Sequence, residues 1–571
     1  MSLPRSPIRL LSAVLLPLLG APSLAQAADA GAACEVLPWA EEAAAGRIEA
    51  IPAGVAETFD TGTRIGAVEL QREQIFDVSD PSEDNPLYRF ANGAHILTRE
   101  HAIREQVPFL ATGEELVPLE LVEAERILRR LDWLYDARVV PVRRCGDEVD
   151  LVVVTRDVWT ILPSVSLDRS GGESSFSFGV EDENLLGRGE TLGVVYEDDV
   201  DRSGVAVYYS DPSVVGTPWR LDLYAADNDD GHRFDVNLRH PFRSLDERSS
   251  RGGRVTVDER VQPLFDAGFR AAEFRMRSRS ATLFVARSTG RVEGFVRRWT
   301  LGLAYFDHEF AREPGPLQPA QLPDDRRALY PYVAFERIED DFLPLSNMGL
   351  IGRAQDIHLG RRLSGSLGLS PDAFGADDGR MLFRLDWRDA LQPRDAIILT
   401  GFAGANGAVT TGDGEAENLY VSAGGSLDWL QTDALRFHAS IDATWTRGLT
   451  VDNQLQLGGE NGLRAYPQRF QQGDRRLRAR IEERWYAPHE PLRLFRYGAA
   501  VYVDAGRAWF PGDPDGDAEE GWLANVGVGL RLMPTRLPTS SMIHIDLAAP
   551  LRTGGRDVDD VQLSVTLRRG F

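Results

Sequence analysis

Between Arg475 and Trp485 the chain places charge and grease at alternate positions. Arg476, Arg478, Arg480, Glu482 and Arg484 interleave with Leu477, Ala479, Ile481 and Trp485; only Glu483 breaks the oily set. Successive side chains of a strand point to opposite faces, so this segment has one charged face and one apolar face. Two architectures accept such a strand. A soluble sandwich buries the oily face, whereas a membrane barrel turns it to lipid and keeps the charged face in a polar lumen.

The alternation recurs up to the last residue. Phe495, Tyr497, Ala499, Val501 and Val503 alternate with Arg496, Gly498, Ala500, Tyr502 and Asp504. Trp522, Ala524, Val526, Val528, Leu530 and Leu532 oppose Asn525, Gly527, Gly529 and Arg531, and "IHIDL" repeats the pattern. In the final stretch Val561, Leu563, Val565, Leu567 and Phe571 alternate with Gln562, Ser564, Thr566, Arg568 and Gly570. A last strand that runs into a terminal aromatic is how bacterial outer-membrane barrels end, so Val565, Leu567 and Phe571 read as a C-terminal assembly signal. Small polar and glycine-rich faces on several strands, with Tyr and Trp near strand ends, favour the barrel over the sandwich.

The other end agrees with export. Arg5 and Arg9 precede the apolar run "LLSAVLLPLLG" and small residues at Ala25 and Ala27, the plan of a signal peptide over 1–27. Its core is too short to span a bilayer as a helix, and no later segment supplies about 18 uninterrupted apolar residues. Any crossing is therefore made by strands. The two cysteines, Cys34 and Cys145, can pair in an oxidising compartment and tie residues 28–63 to the first folded unit; the alternative is two unpaired thiols.

Residues 64–158 have a different grammar. "RIGAVELQREQIF" reads as a strand, and "TREHAIREQV" as a helix capped by Thr98. "PLELVEAERILRRLDWL" lines up Leu121, Ala124, Leu128 and Leu131 on one helical face. "ARVVPVRRC" and "EVDLVVVTRDV" form a hairpin turning at Gly146-Asp147. The order β-α-α-β-β predicts a three-stranded sheet backed by two helices, with a free edge on which an extended client could add a strand. From Trp159 to Phe571 only strand and turn grammar remains.

A formal net charge of −24 argues against nucleic acid as a partner. Nine histidines are scattered, and neither a Gly-x-Ser-x-Gly elbow nor a His-Glu-x-x-His pattern occurs. No catalysis and no cofactor are expected. The oxygen-rich "DPDGD" at Asp513 lacks the twelfth-position glutamate of an EF-hand and reads as a solvated loop, so no metal site is expected.

Together these stretches resemble the BamA/TamA superfamily of outer-membrane assembly and secretion proteins. Gly458-Gly459 with Leu463, Arg464, Ala465 and Tyr466 resembles the family's lumen loop, usually Val-Arg-Gly-Phe/Tyr, with Ala465 in place of the glycine. "VDAGRAW" from Val503 resembles Phe-x-Asp-x-Gly-x-x-Trp, and "DENLLGRG" from Asp182 resembles Asp-x-Asn-x-x-Gly-x-Gly. "VGVGLRL" and "IDLAAPL" resemble the two strands that follow. The likeness implies a mainly β chain, with one small α/β POTRA-like domain (64–158) in the periplasm and a transmembrane antiparallel barrel (159–571) of 16 strands in the outer membrane. Naive segmentation between Trp159 and Trp445 yields more strands than a 16-strand barrel would leave there, so some are expected to be extramembrane hairpins or single strands split in two. The likeness further implies an external loop folded into the lumen, with Arg464 held by Glu482 and Asp504, both on polar strand faces.

The expected partners are outer-membrane lipid and lipopolysaccharide, an unfolded outer-membrane or secreted protein, and periplasmic chaperones or accessory lipoproteins. The implied work is insertion of barrel proteins or translocation of a protein substrate. The rival expectation is a porin-like passive channel whose basic lumen selects anions.

Overall fold

The computed structural model describes residues 34–47, 55, 59, 62–459, 462–511, 521–537, 541–553, 556 and 558–569. Phe571 and the whole signal-peptide stretch lie outside them, as does most of 48–61. Within the last strand the side chain of Leu567 is also outside the described set.

The N-terminal unit runs β1 (Glu35–Val36), α1 (Ala40–Ala44), β2 (Arg64–Glu73), α2 (Pro86–Ala94), α3 (Glu100–Arg104), α4 (Pro118–Arg129), β3 (Leu134–Cys145) and β4 (Glu148–Asp157). Its sheet order is β1-β3-β4-β2, with β2 parallel to β4 and β3 antiparallel to it. The expected three strands and two helices become four of each. The Cys34–Cys145 disulfide fastens the arm that supplies β1 and α1 to the end of β3, and β1 covers that edge. Helix α4 starts on Pro118, a position that needs no amide donor, and buries Leu121, Ala124 and Leu128 against Ile65, Leu134, Val139 and Leu151. Helix α2 is capped by Asn85, whose side chain accepts from the amides of Leu87 and Tyr88 at 3.0 Å. Thr98 does not cap α3. Its amide and hydroxyl both donate to Asp157 at 2.8 Å, because a buried carboxylate at the end of β4 outcompetes a helix end open to water.

The remaining strands build one closed antiparallel barrel. Short strands come first: β5 (Ile161–Ser170), β6 (Glu173–Asp182), β7 (Thr191–Asp198), β8 (Ser203–Asp211), β9 (Arg220–Asn228) and β10 (Gly231–His240). Long ones follow: β11 (Ser249–Asp266), β12 (Phe269–Val292) and β13 (Phe295–Arg312), of 18, 24 and 18 residues. Next come β14 (Arg326–Glu339), β15 (Asp341–Leu345), β16 (Gln355–Ser370), β17 (Arg380–Arg394), β18 (Ile397–Thr410), β19 (Ala416–Leu430) and β20 (Leu435–Arg447). A small hairpin, β21 (Leu455–Leu457) and β22 (Gln471–Gly473), stands apart from the wall. The wall resumes with β23 (Arg475–Tyr486), β24 (Phe495–Trp509), β25 (Leu523–Pro534), β26 (Ser541–Pro550) and β27 (Gln562–Arg569).

The barrel has 20 strands, not 16. β14 and β15 count as one, since both pair with β16 on either side of a break at Asp340. The correction has a local cause. The six short strands β5–β10 have 8 to 10 residues, at or just under the length that crosses an apolar layer when tilted. Each pairs on both sides within the wall, so none is left over as an extramembrane hairpin.

Parity along the wall matches a membrane cylinder. Ile481, Trp485, Val501, Val503, Val526, Val528 and Leu530 are exposed, whereas Glu482, Asp504, Asn525 and Arg531 are buried inside. No described helix is long and apolar enough to cross a membrane. An apolar exterior around a closed antiparallel wall points to an outer membrane.

The N-terminal domain sits against one end of the cylinder, called here the near mouth. Asn184, in the β6–β7 turn, donates to the Thr98 hydroxyl at 2.7 Å. Gln106 donates to Ser213 in the β8–β9 turn at 3.2 Å, and Arg536 to Glu83 at 2.8 Å. Arg129 forks onto Asp356. Arg291, at the foot of β12, bonds Glu123 of α4 together with Asp246 and Asp340. Residues 346–354 then cross the mouth beneath the lumen. Leu350 and Ile351 pack with Tyr486, Met533 and Met542, while Arg353 donates to the carbonyl of Leu134 at 2.8 Å.

Glu120 of α4 lies in this interface. Burial, then Asp246, Glu123 and Glu114, raise its carboxyl from 4.5 to about 7, against the opposing pull of Arg291. A carboxyl raised on docking binds its proton more tightly in the docked state, so its contribution is complete below pH 4.5 and lost as pH climbs through about 7. Protease release of the N-terminal domain is expected to be faster at pH 8 than at pH 5, and Glu120→Gln to flatten that dependence. Equal slopes in the two proteins would exclude Glu120 as the titrating group.

Candidate functional site

The connection from β20 to β23 turns inward at the far mouth and carries Arg464 into the wall formed by β23–β26. Gly458 makes the turn possible. Its φ is +136°, and a Cβ there would stand 2.3 Å from the Pro467 carbonyl oxygen. The Gly459 amide donates to the Tyr466 carbonyl at 3.1 Å, and the Tyr466 amide to Leu463 at 3.2 Å. Leu463, Ala465 and Tyr466 are fully buried. Ala465 is absent from the non-glycine residues with positive φ, so a glycine is not required there. The Tyr466 hydroxyl lies 2.7 Å from the carbonyl oxygens of both Ala524 and Arg552, donating its one hydrogen to either, and accepts from the Ala524 amide at 3.0 Å.

Arg464 forks onto Asp504 of β24, Nε to Oδ2 at 2.8 Å and Nη2 to Oδ1 at 3.0 Å. Nη2 also reaches Glu482 of β23 at 3.3 Å, and Nη1 stands 3.5 Å from Asp546 of β26. The guanidinium lies over the Tyr502 ring, 3.1 Å from its centroid, a stacking that a lysine would make poorly. Two members of the site were not assigned from sequence: Asp546 and Arg531. Arg531 joins Glu482 at 3.2 Å and Asp546 at 2.9 Å. Both sit on polar faces of strands whose alternation is plain in the sequence, and that parity was the available signal.

The arginine ladder resolves into separate bonds. Arg476 donates to the Gln456 carbonyl of the small hairpin at 2.9 Å. Arg478 pairs with Asp442 at 3.0 Å, Arg480 with Asp504 at 2.8 Å and Arg484 with Glu482 at 3.0 Å. Four guanidiniums (Arg464, Arg480, Arg484, Arg531) thus face three carboxylates (Glu482, Asp504, Asp546) within one buried network.

The rest of the connection roofs the far mouth. Asp452 is forked by Arg326 of β14 at 3.0 and 2.7 Å. Gln454 exchanges bonds with Phe265 at 2.7 and 3.0 Å, and Arg469 reaches Asp201. The loop is thus pinned both at its tip and across its span.

At the seam of the cylinder β27 meets β5. Among the described residues the register there is one pair, Val565 opposite Arg169. On either side β26–β27 makes eight pairs and β5–β6 ten. Val565 therefore marks the seam.

A closed barrel with an apolar exterior, a pinned lumenal loop and a small α/β domain at one mouth defines an outer-membrane-type barrel with an internal latch. Solved structures similar to it include BamA and CdiB. BamA from Haemophilus ducreyi lacking POTRA domains 1–3 is 14% identical, with 88% of this chain and 84% of that one covered and a TM-score of 0.37. CdiB from Escherichia coli is 15% identical over 88% and 76% of the chains, with a TM-score of 0.44. CdiB from Acinetobacter baumannii is 13% identical over 88% and 73%, with a TM-score of 0.42. No family model and no curated protein matches the sequence.

Proposed function

We propose that this protein assists other polypeptides into or across the outer membrane, with its N-terminal domain, a POTRA-like unit, in the periplasm. The observation that carries this reading is the seam. A strand entering hydrocarbon with unpaired amides loses several kcal/mol for each exposed group. An edge held, among the described residues, by one register pair is cheap to open, and once open it presents a row of amides and carbonyls on which a client strand pairs before it is buried. Pro163 in β5 adds to this, since it removes one ladder donor from the edge. β2 lies at an edge of the N-terminal sheet; its start is covered by residues 113–116, and its remainder is suited to receive an extended client earlier by strand addition.

The far-mouth roof and the near-mouth floor weigh against the porin-like reading, because a passive channel needs an open lumen. Conductance in planar bilayers distinguishes the two: a large, steady conductance unchanged by Arg464→Ala would favour the channel. The decisive test is depletion followed by an inventory of outer-membrane and secreted proteins. Loss of many barrels indicates insertion, and loss of one secreted partner indicates dedicated transport. An unchanged inventory would overturn the proposal.

A further inference from the structure

Three turns at the near mouth share one unusual conformation. Leu186, Val215 and Leu492 have φ of 55°, 53° and 54°, in the left-handed region that a branched or bulky residue rarely adopts. All three are apolar and exposed, at 50%, 93% and 70%. Beside them α2 turns Leu87 and Phe90 outward, 64% and 70% exposed; residues three apart share a helix face. The opposite face of α2 is fixed to the rim. Tyr88 stacks on Phe76 with centroids 4.0 Å apart and donates to the Leu492 carbonyl.

We propose that these residues form an interfacial foot, resting in the headgroup and upper acyl region of the membrane leaflet on the N-terminal domain's side. Two features select a lipid leaflet over a protein partner. The patch is continuous with the lipid-facing wall, because Phe495 opens β24 on the same outward face as Val501 and Val503. The three turns also lie on both sides of the seam, after β6, β8 and β23. A plane touches all of them at once, whereas a small partner touches one. Exposed apolar side chains at left-handed turn tips, together with an amphipathic helix held level with the rim, are what interfacial burial requires. The foot would hold the leaflet's depth beside β5 and β27.

The test uses the full-length protein in vesicles of phosphatidylethanolamine and phosphatidylglycerol. Cys34 and Cys145 are bridged, so an added cysteine is the reactive thiol for an environment-sensitive fluorophore. Phe90→Cys and Val215→Cys report the foot, and Val36→Cys, 66% exposed on the outer sheet edge, is the aqueous control. The foot labels are expected to emit to the blue of the control. They should also be quenched several-fold more by headgroup-region nitroxide lipids and several-fold less by iodide. Iodide quenching equal to that at position 36 would overturn the proposal. Protection without nitroxide quenching would overturn it in favour of a protein partner, and protection that varies with protein-to-lipid ratio in favour of a second copy.

Discussion

Asp504→Ala is expected to destabilise the barrel by about 3–5 kcal/mol, the range for removing one partner from a buried ion pair. Asp504 is fully buried and serves Arg464, Arg480 and Asn525 together. Its loss leaves four guanidiniums facing two carboxylates in a wall away from water, which is the costly direction. Arg464→Ala acts differently. It leaves three guanidiniums and three carboxylates, so the wall stays balanced and the effect falls on the loop. The fork, the Tyr502 stack and the tip anchorage all go. Thermal unfolding in detergent should therefore fall steeply for Asp504→Ala and modestly for Arg464→Ala. Protease added from the far-mouth side should cut the 448–474 connection in the arginine variant alone. If both variants unfold at the wild-type temperature and resist cleavage, the network is not what holds the loop.

Stapling the seam should abolish function outright. Arg169→Cys with Val565→Cys places two thiols at the register pair that joins β5 to β27 among the described residues. With Cys34 and Cys145 replaced by serine, an oxidant can form only that bridge. Cells that depend on this copy should then reproduce the depleted inventory, and a reductant should restore it. A second staple between β6 and β7, at the opposed positions Phe178 and Tyr196, should be silent. Full activity with the seam closed would rule out edge templating and leave lumenal passage as the route.

How much of this was legible beforehand follows from what each signal encodes. Period-two alternation reports which face a side chain takes, and the faces of Glu482 and Asp504 were readable from it. It does not report height, so Asp546 and Arg531 sat on the correct face of known strands without any sign that they would meet Arg464; only the register brings them level. Strand number failed for another reason. Segmentation yields more strands between Trp159 and Trp445 than a 16-strand barrel leaves there, and the family likeness assigns the excess to hairpins or split strands, whereas β5–β10 each enter the wall. The seating of the N-terminal domain left no trace at all. Pairs such as Glu83 with Arg536 lie 453 positions apart, and neither residue has a neighbourhood that names its partner. Thr98 misled because a threonine before a helix fits a cap and a tertiary hydrogen bond equally well.

The unequal strands carry a last consequence. A strand needs about 9–11 residues to cross an outer membrane, and β5–β10 have only 8 to 10. β12 has 24 residues, and it and its two neighbours of 18 stand well clear of the lipid. Seen from the far mouth, the rim is a palisade on one flank and a threshold at the seam. A large body approaching that mouth would meet the tall flank first, while anything sliding along the lipid would find the low side open to it.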